Sequence, residues 1–296
     1  MTGPQPPDRE LEVAVEDGAL HVEHYAARGQ PAGVVVFVHG FDAHAGLYRA
    51  LGAALAAQGF ATVLYDGRGH GRSTGRRGHI THFEQYGADL AAVVTHARAA
   101  LPGPLTVMGH SQGGLVVLDA VTREAVAADR VVLAAPWLGL SMPVPWWKKG
   151  LSPLFSRLWP TLTMGNGLRA ADISRNPALE EIRAHDPLIH HVATARWFEE
   201  VLRTQLRIRA TPPTLRIPTL VLVAGQDRIV SSDATMAFIQ TAGPAVAVRR
   251  YEAAYHDLFM EPEQDQVLAD ILAWLRAPAA IGADLGRAPL AVPGTL

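Results

Sequence analysis

The stretch Leu105–Ala120, LTVMGHSQGGLVVLDA, sets a short apolar run against a corner of small residues and then an apolar segment with helical spacing. Leu105–Met108 has the length and continuity of a strand buried on both faces, and Gly113–Ala127 reads as the helix that follows it. Between them, Gly109-His110-Ser111-Gln112-Gly113 fits the pattern G-x-S-x-G, whose small residues permit a strained strand-to-helix turn that lifts the Ser hydroxyl out at the end of a sheet. Gly114 leaves the backbone free to pack closely just beyond the turn. Five loosely specified residues recur by chance, so it is the flanking strand and helix that make Ser111 a candidate nucleophile.

Outward from this corner the same alternation repeats. Val34–Val38, Thr62–Tyr65, Val131–Ala134 and Leu220–Val223 are short apolar runs suited to a parallel sheet covered on both faces, and Val246–Tyr251 adds another strand. Tyr48–Gln58, Phe83–Ala100, Ser232–Thr241 and Pro262–Leu275 have helical spacing, the last with Pro near its first turn. Leu11–Glu16 and Ala19–Tyr25 meet at Asp17-Gly18 and predict an antiparallel hairpin at the N-terminal edge. The fold class is α/β, a mostly parallel doubly wound sheet. Trp137–Pro213 breaks the rhythm, with no buried-strand run and five of the six tryptophans (Trp137, Trp146, Trp147, Trp159, Trp197), and is expected to be a mostly helical insertion. The expected organisation is a core of residues 1–136 and 214–276, an inserted lid at 137–213, and a poorly ordered Ala-, Gly- and Pro-rich tail at 277–296.

Composition narrows the function classes. In 296 residues, 26 Lys and Arg are scattered among 28 Asp and Glu, which leaves no electrostatic footprint for nucleic acid. The absence of cysteine removes disulfides, thiolate chemistry and Cys-ligated metals. No uninterrupted apolar segment reaches membrane-spanning length, and MTGPQPPDRE has no secretory-signal pattern, so the expectation is a soluble, cytoplasmic protein.

A serine hydroxyl is a poor nucleophile at neutral pH and requires a base, which in turn requires an orienting acid. On a strand-turn-helix corner of this kind the expected chain order is Ser, then Asp or Glu, then His. Asp227 follows the apolar strand Leu220–Val223 and so falls at the carboxyl end of the sheet; His256 follows the last strand and precedes the final helix. His39, His70, His79 and His82 precede Ser111, and His110 adjoins it and should point away. Asp257 neighbours His256 and should likewise point elsewhere. Attack on a carbonyl builds charge on oxygen, and the backbone N–H groups placed to receive it are those of Gln112 and Phe41.

These residues, together with "HGFDAHAGLYRALGAALAAQGF", "YDGRGHGRSTGRRGHITHFEQYGADL", "ISRNPALEEIRAHDPLIH" and "AGQDRIVSSDATMAFI" followed by "YEAAYHDLFMEP", resemble the α/β-hydrolases of the monoacylglycerol lipase and lysophospholipase type, a group also labelled serine aminopeptidase-like. The resemblance spans most of Val34–Leu275. It implies an α/β-hydrolase fold with Ser111, Asp227 and His256 as triad, Phe41 and Gln112 as oxyanion positions, Trp137–Pro213 as lid, and no metal or cofactor. Two departures stand out: Ala43 precedes His44 where the family often has Glu, and Gln112 follows the nucleophile where it often has Met. The implied activity is hydrolysis of a monoacylglycerol or similar single-chain ester, with Trp146, Trp147, Leu151, Leu154 and Phe155 taking the acyl chain or touching a lipid surface. The same fold supports other ester, lactone or amide hydrolysis, including a peptidase that would need lid carboxylates such as Glu180, Glu181 or Asp186, and also non-catalytic capture of an apolar ligand.

Overall fold

The apolar runs become strands for the reason that marks them in the sequence: β-branched side chains suit an extended backbone and both of their faces can be buried. In GVVVFV, Val34, Val36 and Val38 enter one hydrophobic cluster while Val35 and Phe37 enter another on the opposite face. The structure, a computed structural model, describes residues 5–143, 145–210 and 214–277, apart from the side chains of residues 147–149. In chain order its elements are β1 (Arg9–Val15), β2 (Gly18–Tyr25), β3 (Gly33–Val38), α1 (Arg49–Ala57), β4 (Phe60–Tyr65), α2 (Glu84–Ala100), β5 (Leu105–His110), α3 (Gln112–Thr122) and β6 (Arg130–Ala134). The insertion holds α4 (Trp146–Leu158), β7 (Thr163–Gly165), α5 (Ala170–Ile173), α6 (Ala178–His185), β8 (Val192–Thr194) and α7 (Ala195–Ala210). The core resumes with β9 (Thr219–Ala224), α8 (Ser232–Thr241), β10 (Val246–Tyr251) and α9 (Gln264–Arg276).

Among the described residues the main sheet has eight strands in the order β1-β2-β4-β3-β5-β6-β9-β10. β1 pairs antiparallel with β2 and β2 with β4, while all pairings from β4 to β10 are parallel. The order reverses at β3, whose successor β4 lies on one side and β5 on the other, and this opens a crevice at their carboxyl ends. The loop carrying Phe41 leaves β3 there, and the corner carrying Ser111 leaves β5 beside it.

Three local expectations are corrected. The hairpin closes at Val15↔Gly18, so its two-residue loop is Glu16-Asp17, one residue earlier than Asp17-Gly18. Asp17 supplies the left-handed backbone (φ 65°), a conformation that Asp tolerates, and Gly18 is required within the strand because a Cβ there would fall 2.0 Å from the Thr74 hydroxyl. Helix α3 ends at Thr122 and not Ala127, because Glu124 turns left-handed (φ 57°) and Ala125 N–H closes onto the Ala120 carbonyl. The insertion also contains an antiparallel β7–β8 pair, Thr163↔Thr194 to Gly165↔Val192, too short to leave a periodicity in the sequence. The tail expected at 277–296 lies, beyond Ala277, outside the described residues.

Candidate active site

Ser111 stands between β5 and α3 with φ 54° and ψ −117°, a backbone that a non-glycine residue adopts only when its surroundings impose it. Those surroundings are backbone. A Cβ on Gly113 would lie 2.1 Å from the Val38 carbonyl oxygen, and one on Gly109 would lie 2.4 Å from that of Gly113, so the helix start can press against β3 and β5 only because both residues are glycine. Ser111 N–H donates to the Ala134 carbonyl (3.0 Å) and Trp137 N–H to the Ser111 carbonyl (3.0 Å), locking the corner against the end of β6.

The Ser111 Oγ is 2.8 Å from His256 Nε2, and His256 Nδ1 is 2.8 Å from Asp227 Oδ2. With the hydroxyl donating to Nε2, Nδ1–H donates to the carboxylate. The other oxygen of Asp227 accepts the N–H groups of Ile229 and Val230, each at 2.9 Å, which fixes the carboxylate in the turn after β9. Burial pushes the His256 pKa down, but the Asp227 charge and hydrogen bond, helped by Asp257 and Asp42, outweigh it and hold the imidazole above its ordinary 6.5. This line of groups can pass the serine proton to the imidazole and stabilise the cation that results.

The structure thus brings Ser111, Asp227 and His256 together. His110 packs behind His256 with ring centroids 5.0 Å apart, its Nδ1 3.2 Å from the Tyr48 hydroxyl, and burial holds its pKa below the ordinary value. Asp257 accepts from that hydroxyl (3.0 Å) and from Phe259 N–H (3.1 Å), away from the His256 ring. Gly40 abuts the corner closely enough that a Cβ there would meet Ser111 Cβ at 3.3 Å. Among the described residues the N–H groups of Phe41 and Gln112 have no protein acceptor, which leaves them available to a developing oxyanion.

Ser111 and His256 open into a cavity of about 210 Å³ whose wall is largely apolar, including Trp137, Met142, Met164, Ile173, Leu179 and Met260. Of the residues offered for the acyl chain or for a lipid surface, those described stand outside the cavity wall. Trp146 is 84% exposed and Leu154 50%, Leu151 is exposed, and Phe155 stacks on Trp159; none belongs to the cavity wall, and the Trp147 side chain lies outside the described part. The reason is the face α4 buries: Ser152 and Ser156 pack inward against α7, with Ser152 Oγ donating to Glu199 Oε2 at 2.7 Å, which turns the Leu and Trp face outward. The insertion side of the cavity wall comes instead from the segment after β6, from residues 164–179 and from α7.

Three features escaped the sequence reading. Asp42 and Arg183 form a buried bidentate ion pair (3.0 and 2.8 Å) at one end of the cavity, joined by Asn166 Nδ2 at 2.7 Å. His44 Nε2 meets Asp186 Oδ2 at 2.8 Å. Glu261, wholly buried, accepts from Ser174 Oγ, Arg175 N–H and Nε, and Tyr255 N–H, so it ties the insertion to the loop bearing His256. These partners are 86 to 142 positions apart except for Tyr255, and no local pattern announces them. As for metals, Glu10, His21 and Glu23 bring ligand atoms within 4.8 Å of one another, but Arg49 and Arg72 already bind the two carboxylates, so their charge is neutralised by guanidinium groups. No helix among the described residues is long and apolar enough to cross a membrane.

With this geometry in hand, known proteins give the chain its context. It is 32% identical to phospholipase YtpA of Bacillus subtilis, covering 80% of this chain and 93% of that protein. It is 30% identical to the monoacylglycerol lipase of Mycolicibacterium smegmatis, covering 83% and 88%. The crystal structure of Paleococcus ferrophilus monoacylglycerol lipase superposes with a TM-score of 0.79 at 26% identity, covering 86% of this chain and 98% of that one. Residues 29–263 match the family described as serine aminopeptidase, S33, and the chain belongs to that α/β-hydrolase family.

Proposed function

We propose that this protein is a carboxylic ester hydrolase acting on single-chain acyl esters of the monoacylglycerol type through an acyl-serine intermediate. The observation that carries the reading is the unbroken line Ser111–His256–Asp227, at 2.8 and 2.8 Å, opening directly into an apolar cavity. His256 takes the Ser111 proton as Oγ attacks the ester carbonyl, and the N–H groups of Phe41 and Gln112 receive the charge on its oxygen. Collapse expels the alcohol, protonated by His256, and leaves the acyl group on Oγ. Water then gives its proton to His256 and attacks the acyl carbonyl, and the acid leaves as Ser111 is re-protonated. The relatives named phospholipase and monoacylglycerol lipase support a lipid ester as substrate.

The insertion acts as a lid over the cavity, and the outward face of α4, with Trp146, Leu151, Leu154 and Leu158 exposed, provides its contact with a lipid surface. A peptidase reading is less well supported, because a free amino terminus needs an unpaired carboxylate. Asp42 is paired with Arg183, Asp257 is bonded by Tyr48, Asp186 meets His44, and Glu180 and Glu181 stand exposed on α6 outside the cavity wall. The test is turnover of p-nitrophenyl esters of increasing chain length by wild type and Ser111→Ala. The expected result is a preference for a medium or long acyl chain that the substitution abolishes. Equal turnover by both proteins, or none with any ester, overturns the reading.

A further inference from the structure

The loop that leaves β3 is held more by its neighbours than by itself, and the insertion supplies the polar contacts of Asp42. From Gly40 to Ala43 its one internal backbone hydrogen bond is Ala43 N–H to the Gly40 carbonyl, long at 3.4 Å. Asp42 adopts a left-handed backbone, φ 57°, a conformation Asp tolerates, so that backbone alone does not fix where the loop points. Core residues hold its first part, with His39 Nδ1 at 2.7 Å from the Gly40 carbonyl, but the Asp42 carboxylate is held by elements 120 and more residues downstream. Arg183 of α6 grips both Asp42 carboxylate oxygens, Asn166 after β7 donates a further bond to Oδ2, and Trp197 of α7 stacks on the Phe41 ring with centroids 3.8 Å apart. His190 and the core residue His70 lie nearly perpendicular to that ring at 5.0 and 5.7 Å.

We propose that Arg183 and Asn166 are positioning residues for the reaction: by clasping Asp42 they aim the adjoining Phe41 N–H at the oxyanion, so that seating of the insertion on the core completes the transition-state site. The inference rests on the reading of Phe41 as an oxyanion donor. Its physical basis is that a bidentate guanidinium–carboxylate pair fixes direction as well as distance, and that both Asp42 and Arg183 are buried, where such a pair is little screened. Asp42 adjoins the donor residue, so rotation of its backbone out of the left-handed region reorients the Phe41–Asp42 peptide and through it displaces the Phe41 backbone whose N–H is the donor. An insertion lifted from the core would therefore leave the oxyanion poorly held.

The test uses Arg183→Lys, which keeps the charge but loses the two-pronged grip, and Asn166→Ala, singly and together. Active sites are first titrated with a fluorophosphonate so that kcat is expressed per reactive serine; a merely structural role would lower the number of sites and leave this quantity alone. A misdirected oxyanion donor should lower kcat per site by about 10- to 100-fold, with KM within about threefold, because the interaction is made only in the transition state. Arg183→Lys should be the more severe, since it loosens two bonds where Asn166→Ala removes one. If Arg183→Lys fails to fold, Asn166→Ala alone carries the same expectation. A kcat per site within about twofold of wild type, or a rise in KM with kcat intact, overturns the positioning role. Wild-type protein that neither labels nor turns over an ester fails at the prior step, the reading of Ser111 itself, and the positioning role falls with it.

Discussion

Glu261→Gln is the substitution whose cost can be worked most fully from the hydrogen bonds. Burial pushes this carboxyl up, but the N–H groups of Tyr255 and Arg175, the Arg175 guanidinium and the Ser174 hydroxyl together hold it below the ordinary 4.5. An amide offers one oxygen where four donors converge. In its better orientation the oxygen faces Tyr255 N–H and Arg175 Nε, while the NH₂ group faces Ser174 Oγ, which can accept once its own proton turns from residue 261 to the Met260 carbonyl at 3.0 Å. Arg175 N–H is then left against another donor. One orphaned buried donor costs about 1–3 kcal/mol. Lost charge assistance to Arg175 adds less, because that side chain is part-exposed and keeps Glu263, giving about 2–4 kcal/mol in total.

An unfolding entropy of about 2.1 cal/mol/K per residue over 296 residues converts this into a Tm lower by about 3–6 °C. Calorimetry or circular dichroism at neutral pH measures it. The sign with pH follows from the depressed folded pKa: the wild-type contribution is present above about 4.5 and lost as pH falls through the folded value, so the Tm gap should narrow in acid. A Tm within about 1 °C of wild type at pH 7, or a gap that widens in acid, would show that the four bonds do not hold the insertion to the His256 loop.

Two further outcomes follow from the site. His256 must be neutral to accept the serine proton, and its pKa is raised in the folded protein, so the acid limb of kcat/KM should have its midpoint above 6.5; a midpoint below 6.5 would contradict the Asp227 contact. Stability runs the other way, since a raised folded pKa contributes stability in full below about 6.5 and loses it as pH rises through the folded value. Gly113→Ala drives a Cβ into the Val38 carbonyl, and should lower stability by about 3 kcal/mol or more together with activity, read by thermal unfolding and ester turnover; an active, equally stable variant would contradict the closeness of that approach.

What the sequence made legible follows from how local each cause is. The corner at Ser111 is written in adjacent residues, because glycines at 109 and 113 are what backbone contact requires, and the buried strands are written in runs of Val, Leu, Phe and Ala. Asp227 and His256 are far apart in the chain, yet each follows a strand, so topology alone carries them to the same end of the sheet. The cavity wall was not legible because the apolar residues of 146–158 suit an acyl chain or a lipid surface equally well by type. The buried side of α4 is the one bearing Ser152 and Ser156, and only the packing partner α7, with Glu199 as acceptor, decides that. The contacts between insertion and core, Asp42 with Arg183 and Glu261 with Ser174 and Arg175, depend on pairs whose spacing carries no period, so nothing local marks them.

The decisive measurement is mapping of the residue modified by an alkyl fluorophosphonate, by intact mass and peptide mass spectrometry. With Ser111 activated by His256 and Asp227, one adduct per chain should form on the peptide containing Ser111, and none on Ser111→Ala. An adduct on another residue, or an unmodified protein after exhaustive treatment, would contradict Ser111 as the nucleophile.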